Sequence, residues 1–230
     1  MSDFANAFSF MGSHVGLLWH KTLETLALSS AAVGVALLIG LPLGLLLGHL
    51  RRGSFVAINA SNILRALPSL AVITIGIAFF GLGFVNVMFA LVVLAFPVIF
   101  QNTYTAIDGV DDDVVEAARA MGMTGLEVLL RVELPLALPL IFAGIRTAVV
   151  YTIATSTLAA VAGGGGLGDI IFNQAGYRIE GVLAAAILVT ALAFAAELVL
   201  AIVQRLVTPR GVRAPAEAPA IGPAPGGIAA

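Results

Sequence analysis

The sequence predicts an all-α, polytopic membrane protein with about five transmembrane helices. Two observations carry that prediction: a composition too apolar for water, and uncharged runs long enough to span a bilayer. Of the 230 residues, 60% are hydrophobic and 10% are charged, whereas an average soluble domain is about half apolar and about a quarter charged. With a mean hydropathy of +1.07, the chain has too little charge to coat a soluble globule. The composition therefore excludes a soluble single-domain enzyme, and it excludes disorder for the body of the chain.

Each predicted span rests on an uncharged run of about 20 residues, the length that crosses the hydrocarbon core of a bilayer. Residues 66–107 form an uncharged run of 42 residues, which would make a single helix of roughly 63 Å. We therefore divide it at a turn formed by Gly81, Gly83 and Asn86. The five predicted spans are residues 25–48, 67–84, 86–106, 135–162 and 181–204.

Lysines and arginines set the predicted orientation, because cytoplasmic segments carry an excess of both. Lys21 and Arg178 lie on one side, whereas the other side holds eight arginines, namely Arg51, Arg52, Arg65, Arg119, Arg131, Arg205, Arg210 and Arg213. We expect the N-terminus outside and the C-terminus in the cytoplasm. The predicted units are an external segment (1–22), a membrane domain (23–207) with a cytoplasmic loop at 108–135, and a disordered tail rich in Pro, Ala and Gly (208–230).

The cytoplasmic loop at residues 108–135, called the polar loop below, contains signals for two short helices. Asp113 with Glu116 resembles a capping box, and Thr124 with Glu127 is one. Gly122 falls where the end of a helix needs a left-handed residue. The loop therefore predicts a helix, a glycine turn and a second helix, which Pro135 is expected to close.

The first of these helices carries an apolar ridge. Val114, Ala118 and Met121 follow the i, i+4, i+7 spacing of one helix face. We expect such a slim ridge to dock into a groove on another protein. The alternative is an interfacial helix lying on the membrane, which would favour basic residues. This helix instead carries aspartates 111–113 and Glu116 against a single arginine.

Glu116-Ala117-Ala118, Gly122 and residues 132–141 resemble the EAA signature of permease subunits of ATP-binding-cassette (ABC) importers. The resemblance implies a type I importer permease fold, in which the first helix is a coupling helix seated in a cleft of the partner ATPase. It assigns that coupling role to Glu116, Ala117, Ala118 and Gly122, with Arg119, Met121 and Thr124 as neighbouring contacts.

Four further segments are similar to the osmoprotectant branch of these permeases, namely residues 65–71, 101–104, 144–148 and 163–169. Members of that branch import glycine betaine, carnitine, choline and related compatible solutes. The resemblance implies a non-enzymatic subunit in the bacterial cytoplasmic (inner) membrane, working by alternating access. Its partners would be ABC ATPase subunits that bind Mg-ATP, an extracytoplasmic solute-binding protein and a second permease. Analogy with that branch favours a sibling chain over a copy. This chain itself would bind no cofactor.

A different solute within the importer class and two other classes of protein, a membrane-embedded enzyme and a secondary transporter, remain as alternatives. The enzyme would need a polar constellation at the interface, and helix capping already explains aspartates 111–113. Permeases for methionine and other small solutes share the EAA loop, so the same importer class includes a different substrate. A secondary transporter would need ion-coupling carboxylates near the middle of the membrane, and Glu197 is the one available carboxylate.

Polar residues inside the predicted spans have two readings each. Hydroxyls at Thr152, Thr155, Ser156 and Thr157 either line a translocation path or bond back to their own helix. Arg146 and Glu197 are charges within spans, which either pair with one another or contact solute.

Two glycine patterns also have alternative readings. Gly40, Gly44 and Gly48, extended by Ala32 and Ala36, form a small-residue ridge that packs internally or against another subunit. Residues 163–168, called the glycine loop below, match G-x-G-x-x-G, but a span rather than a strand precedes them, which excludes dinucleotide binding. We expect the glycine loop to be a flexible external turn. The polar residues that follow it would either contact a binding protein or belong to an ordinary loop; these are Asp169, Asn173, Gln174 and Arg178.

Several site classes are excluded by composition. There is no cysteine, three histidines are scattered, and helix capping explains aspartates 111–113, so we expect no metal site. A net charge of −2 predicts no nucleic-acid binding. Quaternary ammonium solutes are usually held by aromatic cages. The one Trp and three Tyr residues are far apart in the sequence, so no cage is predicted. We therefore expect the selecting site on a separate binding protein.

Overall fold

A computed structural model of the chain describes residues 2–51 and 54–208. Within those ranges the protein is helical and contains no strand. One π-helical turn (Leu129–Glu133) and one 3-10 segment (Thr157–Ala162) accompany ten α-helices: α1 (Ser2–Ser13), α2 (Val15–His49), α3 (Ser54–Ala66), α4 (Ser69–Phe80), α5 (Phe84–Asp108), α6 (Asp112–Ala120), α7 (Gly125–Val128), α8 (Leu134–Ser156), α9 (Gly168–Phe172) and α10 (Gln174–Val207).

Four helical runs within the described residues are long and apolar enough to cross a bilayer. They contain the first, third, fourth and fifth predicted spans: Val15–His49, Phe84–Asp108, Gly125–Ala162 and Gln174–Val207. The central helix is α5, which packs against α2, α3, α4 and α8. The all-α, polytopic class predicted from composition is confirmed.

The second predicted span, residues 67–84, is wrong as a single helix. Its counterpart α4 has 12 residues, roughly 18 Å of helix and short of the ~30 Å hydrocarbon core. The axis bends by 87° between Ile58–Ala66 and Ser69–Phe80. The cause is Pro68, which has no N–H to donate and restricts the residue before it. A count of five spans therefore requires that this bent pair be taken as one.

The predicted turn after α4 is confirmed with one change. Gly81 and Gly83 have positive φ angles of 72° and 121°, a conformation that glycine adopts without steric cost. Asn86 lies inside α5 rather than in the turn, where it is fully buried. Its side-chain amide donates a 3.2 Å hydrogen bond to the carbonyl of Ile73, so it fastens α5 to α4.

The small-residue ridge of α2 packs internally. A Cβ added at Gly44 would lie 2.7 Å from the Thr103 Cβ, and one at Gly48 would lie 2.8 Å from the Ile107 Cβ. These distances are shorter than carbon atoms tolerate, so α2 approaches α5 as closely as glycine permits. Of the two readings, internal packing is the one that the structure has.

The prediction that Pro135 closes a helix is wrong, because the helical run continues through it. In the π-helical turn, the N–H of Leu134 donates to the carbonyl of Leu129, five residues earlier. A proline ring clashes with the carbonyl four residues back, and the wider turn accommodates it. The polar loop is thus joined to α8 by continuous helix.

The ends of the chain differ from the predicted units. The long helix α2 begins at Val15, so it includes the last part of the predicted external segment 1–22. Helix α1 packs against α10. Apart from Thr208, the predicted tail 208–230 lies outside the described residues, as does Arg52.

Candidate functional site

The polar loop begins with an aspartate cap. Asp111 Oδ1 accepts a 2.9 Å hydrogen bond from the N–H of Asp113, and α6 starts at Asp112. The expected capping box at Asp113 and Glu116 is therefore wrong, since the cap lies two residues earlier. Asp112 and Asp113 instead occupy the first turn, where their charges suit the helix dipole.

The end of α6 forms a Schellman motif, and Gly122 is its left-handed residue, as the sequence predicts. Gly122 has a φ of +88°. Its N–H donates to the carbonyl of Arg119 at 2.9 Å, and the N–H of Met123 donates to the carbonyl of Ala118 at 3.3 Å. These two bonds define the motif and require a left-handed residue at the turn.

The second predicted capping box is confirmed at α7. The N–H of Thr124 donates to Glu127 Oε2 at 2.9 Å, and the N–H of Glu127 donates to Thr124 Oγ1 at 3.4 Å. The Thr124 hydroxyl also lies 2.9 Å from Glu127 Oε2. The loop between the helices is therefore fixed on both sides of Gly122 by bonds of short sequence range.

The buried face of α6 differs from the prediction. Val115 and Ala118 are 3% and 2% exposed and pack with Val110 and Val128. Ala118 therefore does not belong to an outward ridge. Three exposed apolar residues follow an i, i+3, i+7 spacing, which we call the α6 stripe: Val114, Ala117 and Met121. Spacing alone could not choose between the neighbours Ala117 and Ala118, because both lie near the same helix face.

The residues given a coupling role divide accordingly. Ala118 is buried and holds α6 to the body of the protein. The other six are exposed on the polar loop: Glu116, Ala117, Arg119, Met121, Gly122 and Thr124.

His49, the last residue of α2, and Arg51, two residues further on, contact the polar loop. His49 Nδ1 lies 2.6 Å from Glu133 Oε2, and the Glu133 side chain is 1% exposed. Arg51 pairs with Asp112, and its guanidinium donates to the carbonyl of Val110 at 2.9 Å. The sequence gives no local signal for these contacts, because the partners are 59 to 84 residues apart.

The glycine loop is not the free turn that the sequence predicts. The N–H of Gly166 donates to Glu24 Oε2 at 2.8 Å, and the N–H of Leu167 donates to Thr25 Oγ1 at 2.9 Å. Lys21 Nζ bridges Glu24 Oε2 at 2.8 Å and Asp169 Oδ2 at 2.7 Å. Side chains of α2 therefore hold the main chain of the loop in place.

The residues proposed to meet a binding protein have local roles as well. Asp169 is occupied by the lysine of α2. Asn173 Oδ1 accepts from the N–H of Gly176 at 3.0 Å and begins α10. Arg178 pairs with Glu180 at 3.4 Å but remains 82% exposed. Gln174 is also exposed.

The hydroxyl cluster of α8 bonds back to its own helix. Thr152 donates to the carbonyl of Ala148 at 2.7 Å and is 1% exposed. Ser156 and Thr157 likewise donate to carbonyls three residues earlier. Thr155 is buried as well. Back-bonding is therefore observed for Thr152, Ser156 and Thr157. A place for Thr152, Thr155, Ser156 and Thr157 along the translocation path stays a prediction.

The two charges within spans pair with each other. Arg146 Nε lies 2.9 Å from Glu197 Oε1 and joins α8 to α10. The same guanidinium donates to Gln204 Oε1 at 3.2 Å, and the Gln204 amide donates to the carbonyl of Pro139 at 2.9 Å. Among the described residues, no group of three or more His, Cys, Asp or Glu side chains is arranged to hold a metal ion.

Known proteins resemble the chain over most of its length. A family model for the binding-protein-dependent transport system inner membrane component matches residues 40–210. The chain is 41% identical to the glycine betaine/carnitine/choline transport system permease protein OpuCB of Bacillus subtilis, over 89% of this chain and 95% of that one. It is 40% identical to the choline transport system permease protein OpuBB of the same organism (89% and 94%). It is 36% identical to the osmoprotectant import permease protein OsmW of Salmonella typhimurium (89% and 98%).

Solved structures agree with the predicted fold class, that of type I ABC importer permeases. An inward-facing form of the MetNI methionine ABC transporter has a TM-score of 0.76 and 26% identity, covering 85% of this chain and 98% of that one. An amino acid ABC transporter shares the fold, with a TM-score of 0.68 and 21% identity over 86% and 98%. The chain therefore belongs to the family of binding-protein-dependent transport system inner membrane components.

Proposed function

We propose that this chain is a permease subunit of an ATP-driven importer of compatible solutes such as glycine betaine, carnitine and choline. It would form part of the solute pathway and would couple to ATPase subunits on separate chains. The α6 stripe carries this proposal, because it presents apolar side chains to solvent at the loop that resembles the EAA signature. Met121 is 77% exposed and Val114 is 42% exposed, and such a stripe is suited to a groove on a partner.

Movement of α6 would reach the spans through the contacts beneath it. The apolar cluster around Val115 and Ala118 joins α6 to the helix that continues into α8. The pair of His49 and Glu133 joins the same region to α2. Closure of the ATPases would therefore shift α2 and α8 together, as alternating access requires.

The expected partners follow from this role. Mg-ATP would bind to the ATPase subunits, and a solute-binding protein would deliver solute from outside. A sibling permease is favoured over a second copy, since two Bacillus subtilis relatives, OpuCB and OpuCD, carry one system's name and are 41% and 38% identical to this chain. We place the chain in the cytoplasmic (inner) membrane with its N-terminus outside and the polar loop in the cytoplasm.

Two alternatives are less well supported. Methionine is the solute of the MetNI relative, which is 26% identical, whereas the relatives named for quaternary ammonium solutes reach 41%. A secondary transporter would need Glu197 for ion coupling, and that carboxylate is already paired with Arg146 at 2.9 Å.

Uptake of labelled solutes tests the proposal. Cells at high osmolarity would carry the intact gene, a deletion, or the deletion with the gene restored, in a strain without other betaine importers. We expect uptake of glycine betaine, carnitine or choline to be lost on deletion and restored by the gene, and methionine uptake to be unchanged. Quaternary ammonium uptake that survives deletion would contradict the solute assignment, and loss of methionine uptake alone would favour the methionine alternative.

A further inference from the structure

A cavity of about 210 Å³ lies among α3, α5 and α8. Its wall is made of Arg65, Leu94, Val98, Thr147 and Tyr151. Leu94 and Val98 lie on either side of the middle of α5 (Phe84–Asp108), so the cavity is at mid-depth of that span. This position distinguishes it from the loops at either end of the bundle.

The charged wall of the cavity is Arg65, an exposed residue in the last turn of α3. The charge pattern of the sequence assigns Arg65 to the cytoplasmic side, whereas the structure sets it beside the middle of α5. Arg65 Nη1 donates to the neutral side chain of Gln101 at 3.0 Å. Within residues 2–51 and 54–208, no carboxylate oxygen lies within 4.0 Å of this guanidinium, whereas Arg146 is paired with Glu197. An arginine within a span is costly unless it faces water or an anion. With five N–H donors, Arg65 has capacity beyond the one bond to Gln101.

The wall formed by α8 carries a group that attracts cations, in contrast to the positively charged Arg65. Tyr151 is 38% exposed and supplies an aromatic ring, the group that attracts quaternary ammonium ions through its negative face. Thr147 is exposed, and its hydroxyl hydrogen is engaged by the carbonyl of Ala143 at 2.9 Å. Leu94 and Val98 add an apolar surface suited to methyl groups. The cavity thus combines a cation, an aromatic ring and an apolar wall.

We propose that this cavity is a solute site within the pathway for zwitterionic quaternary ammonium compounds, in which Arg65 receives the carboxylate and Tyr151 the trimethylammonium group. The inference rests on the proposed function and makes it more specific. Glycine betaine and carnitine have both groups, whereas choline has the ammonium group alone. Arg65 would therefore serve the first two solutes and be dispensable for choline, while Tyr151 would serve all three.

The test uses the complete importer in proteoliposomes. The solute-binding protein is present at saturating concentration outside the vesicles, and ATP is enclosed inside them. Transport rates of labelled glycine betaine and choline are compared for the wild type, Arg65→Gln, Arg65→Lys, Tyr151→Leu and Tyr151→Phe. Choline transport by the Arg65 variants serves as the control for folding and coupling. The wild-type rates report the proposed function, and the betaine-to-choline ratio of the variants reports the site.

We expect Arg65→Gln to lower betaine transport by about tenfold or more, because a charge-assisted bond to the carboxylate is lost. Choline transport should change less than about twofold, and Arg65→Lys should restore part of the betaine rate. Tyr151→Leu should lower both rates, and Tyr151→Phe should retain them. Equal losses of betaine and choline in Arg65→Gln, or no loss of betaine, would overturn the proposal. A wild-type importer that moves neither solute would overturn the proposed function and the site with it.

Discussion

The glycine loop and the polar loop lie at opposite ends of the helical run Gly125–Ala162 and are held in different ways. Short-range bonds hold Gly163 and Gly164 of the glycine loop, whereas Gly166, Leu167 and the adjoining Asp169 are bonded to α2, across 142 to 148 residues of sequence. The polar loop is held by caps that reach two to five residues, at Asp111, Gly122 and Thr124. One loop is fixed partly by distant side chains and the other mainly by its own sequence.

This difference has a functional consequence. Since the glycine loop is bonded to α2, its main chain moves with that helix. The local caps hold the shape of the polar loop without covering the α6 stripe, so the stripe stays exposed. A partner can therefore bind the polar loop without breaking an internal contact. The comparison predicts that changes at the glycine loop damage folding, whereas changes at the polar loop damage coupling.

The largest effect is expected from Gly168→Ala at the end of the glycine loop. The added Cβ would lie 2.0 Å from the carbonyl oxygen of Thr157, and a backbone atom cannot rotate away as a side chain can. We expect ~3 kcal/mol or more of lost stability, seen as a much lower unfolding temperature in detergent. Gly34→Ala is the matched control, because nothing lies within 4 Å of its added Cβ. Equal unfolding temperatures would contradict the close contact.

The next effect concerns the bond between α2 and the glycine loop. Thr25→Val removes the acceptor of the buried Leu167 N–H, and an unsatisfied buried donor costs about 1–3 kcal/mol. Thr25→Ser keeps the hydroxyl. We expect the unfolding temperature to fall for the valine variant and to stay close to the wild type for the serine variant. Similar values for both would show that the hydroxyl does not hold the loop.

At the polar loop, Gly122 tests the backbone conformation without a packing change. Nothing lies within 4 Å of a Cβ added there, and its φ is +88°. Gly122→Val should cost about 1–2 kcal/mol of local strain, whereas asparagine tolerates this region better. We expect faster amide exchange in α6 and reduced solute uptake for valine, with smaller changes for Gly122→Asn. Unchanged exchange and uptake in the valine variant would argue against a rigid α6.

The smallest effect is expected at the cap of α7. Thr124→Ala removes the side-chain acceptor of the Glu127 N–H and should cost about 1 kcal/mol. Thr124→Ser should recover most of it. Amide exchange of residues 125–128 is the appropriate measurement, since the rest of the protein should be unaffected. A change spread over the whole chain would show that the loop is not held locally.

Local signals made the turn between α6 and α7 predictable, whereas long-range contacts made the glycine loop unpredictable. The Thr124 and Glu127 box and the left-handed Gly122 depend on residues within a few positions, and both are confirmed. Nothing near Gly166 in sequence indicates that Glu24 would accept its N–H. The flexible turn was therefore predicted from composition and was wrong.

The sequence also does not predict which residues of a helix point inward or how a proline affects the helix axis. Periodicity located an apolar face on α6 but did not show that Ala118 points inward. Two prolines with the same local signal had opposite outcomes. Pro68 breaks the axis by 87°, whereas Pro135 follows a π-helical turn and stays within the run. Which outcome occurs depends on the packing of neighbouring helices, which a single sequence does not contain.

The central claim is that the α6 stripe is the surface on which the ATPase acts. The direct measurement is solute-stimulated ATP hydrolysis by the reconstituted importer, together with copurification of the ATPase, for Met121→Asp and Met121→Leu. Met121 is 77% exposed, so neither change should disturb folding. We predict that aspartate lowers stimulated hydrolysis by about tenfold and weakens copurification, because a charge would be buried at the interface, whereas leucine preserves both. Full stimulation and copurification with aspartate at this position would contradict the account.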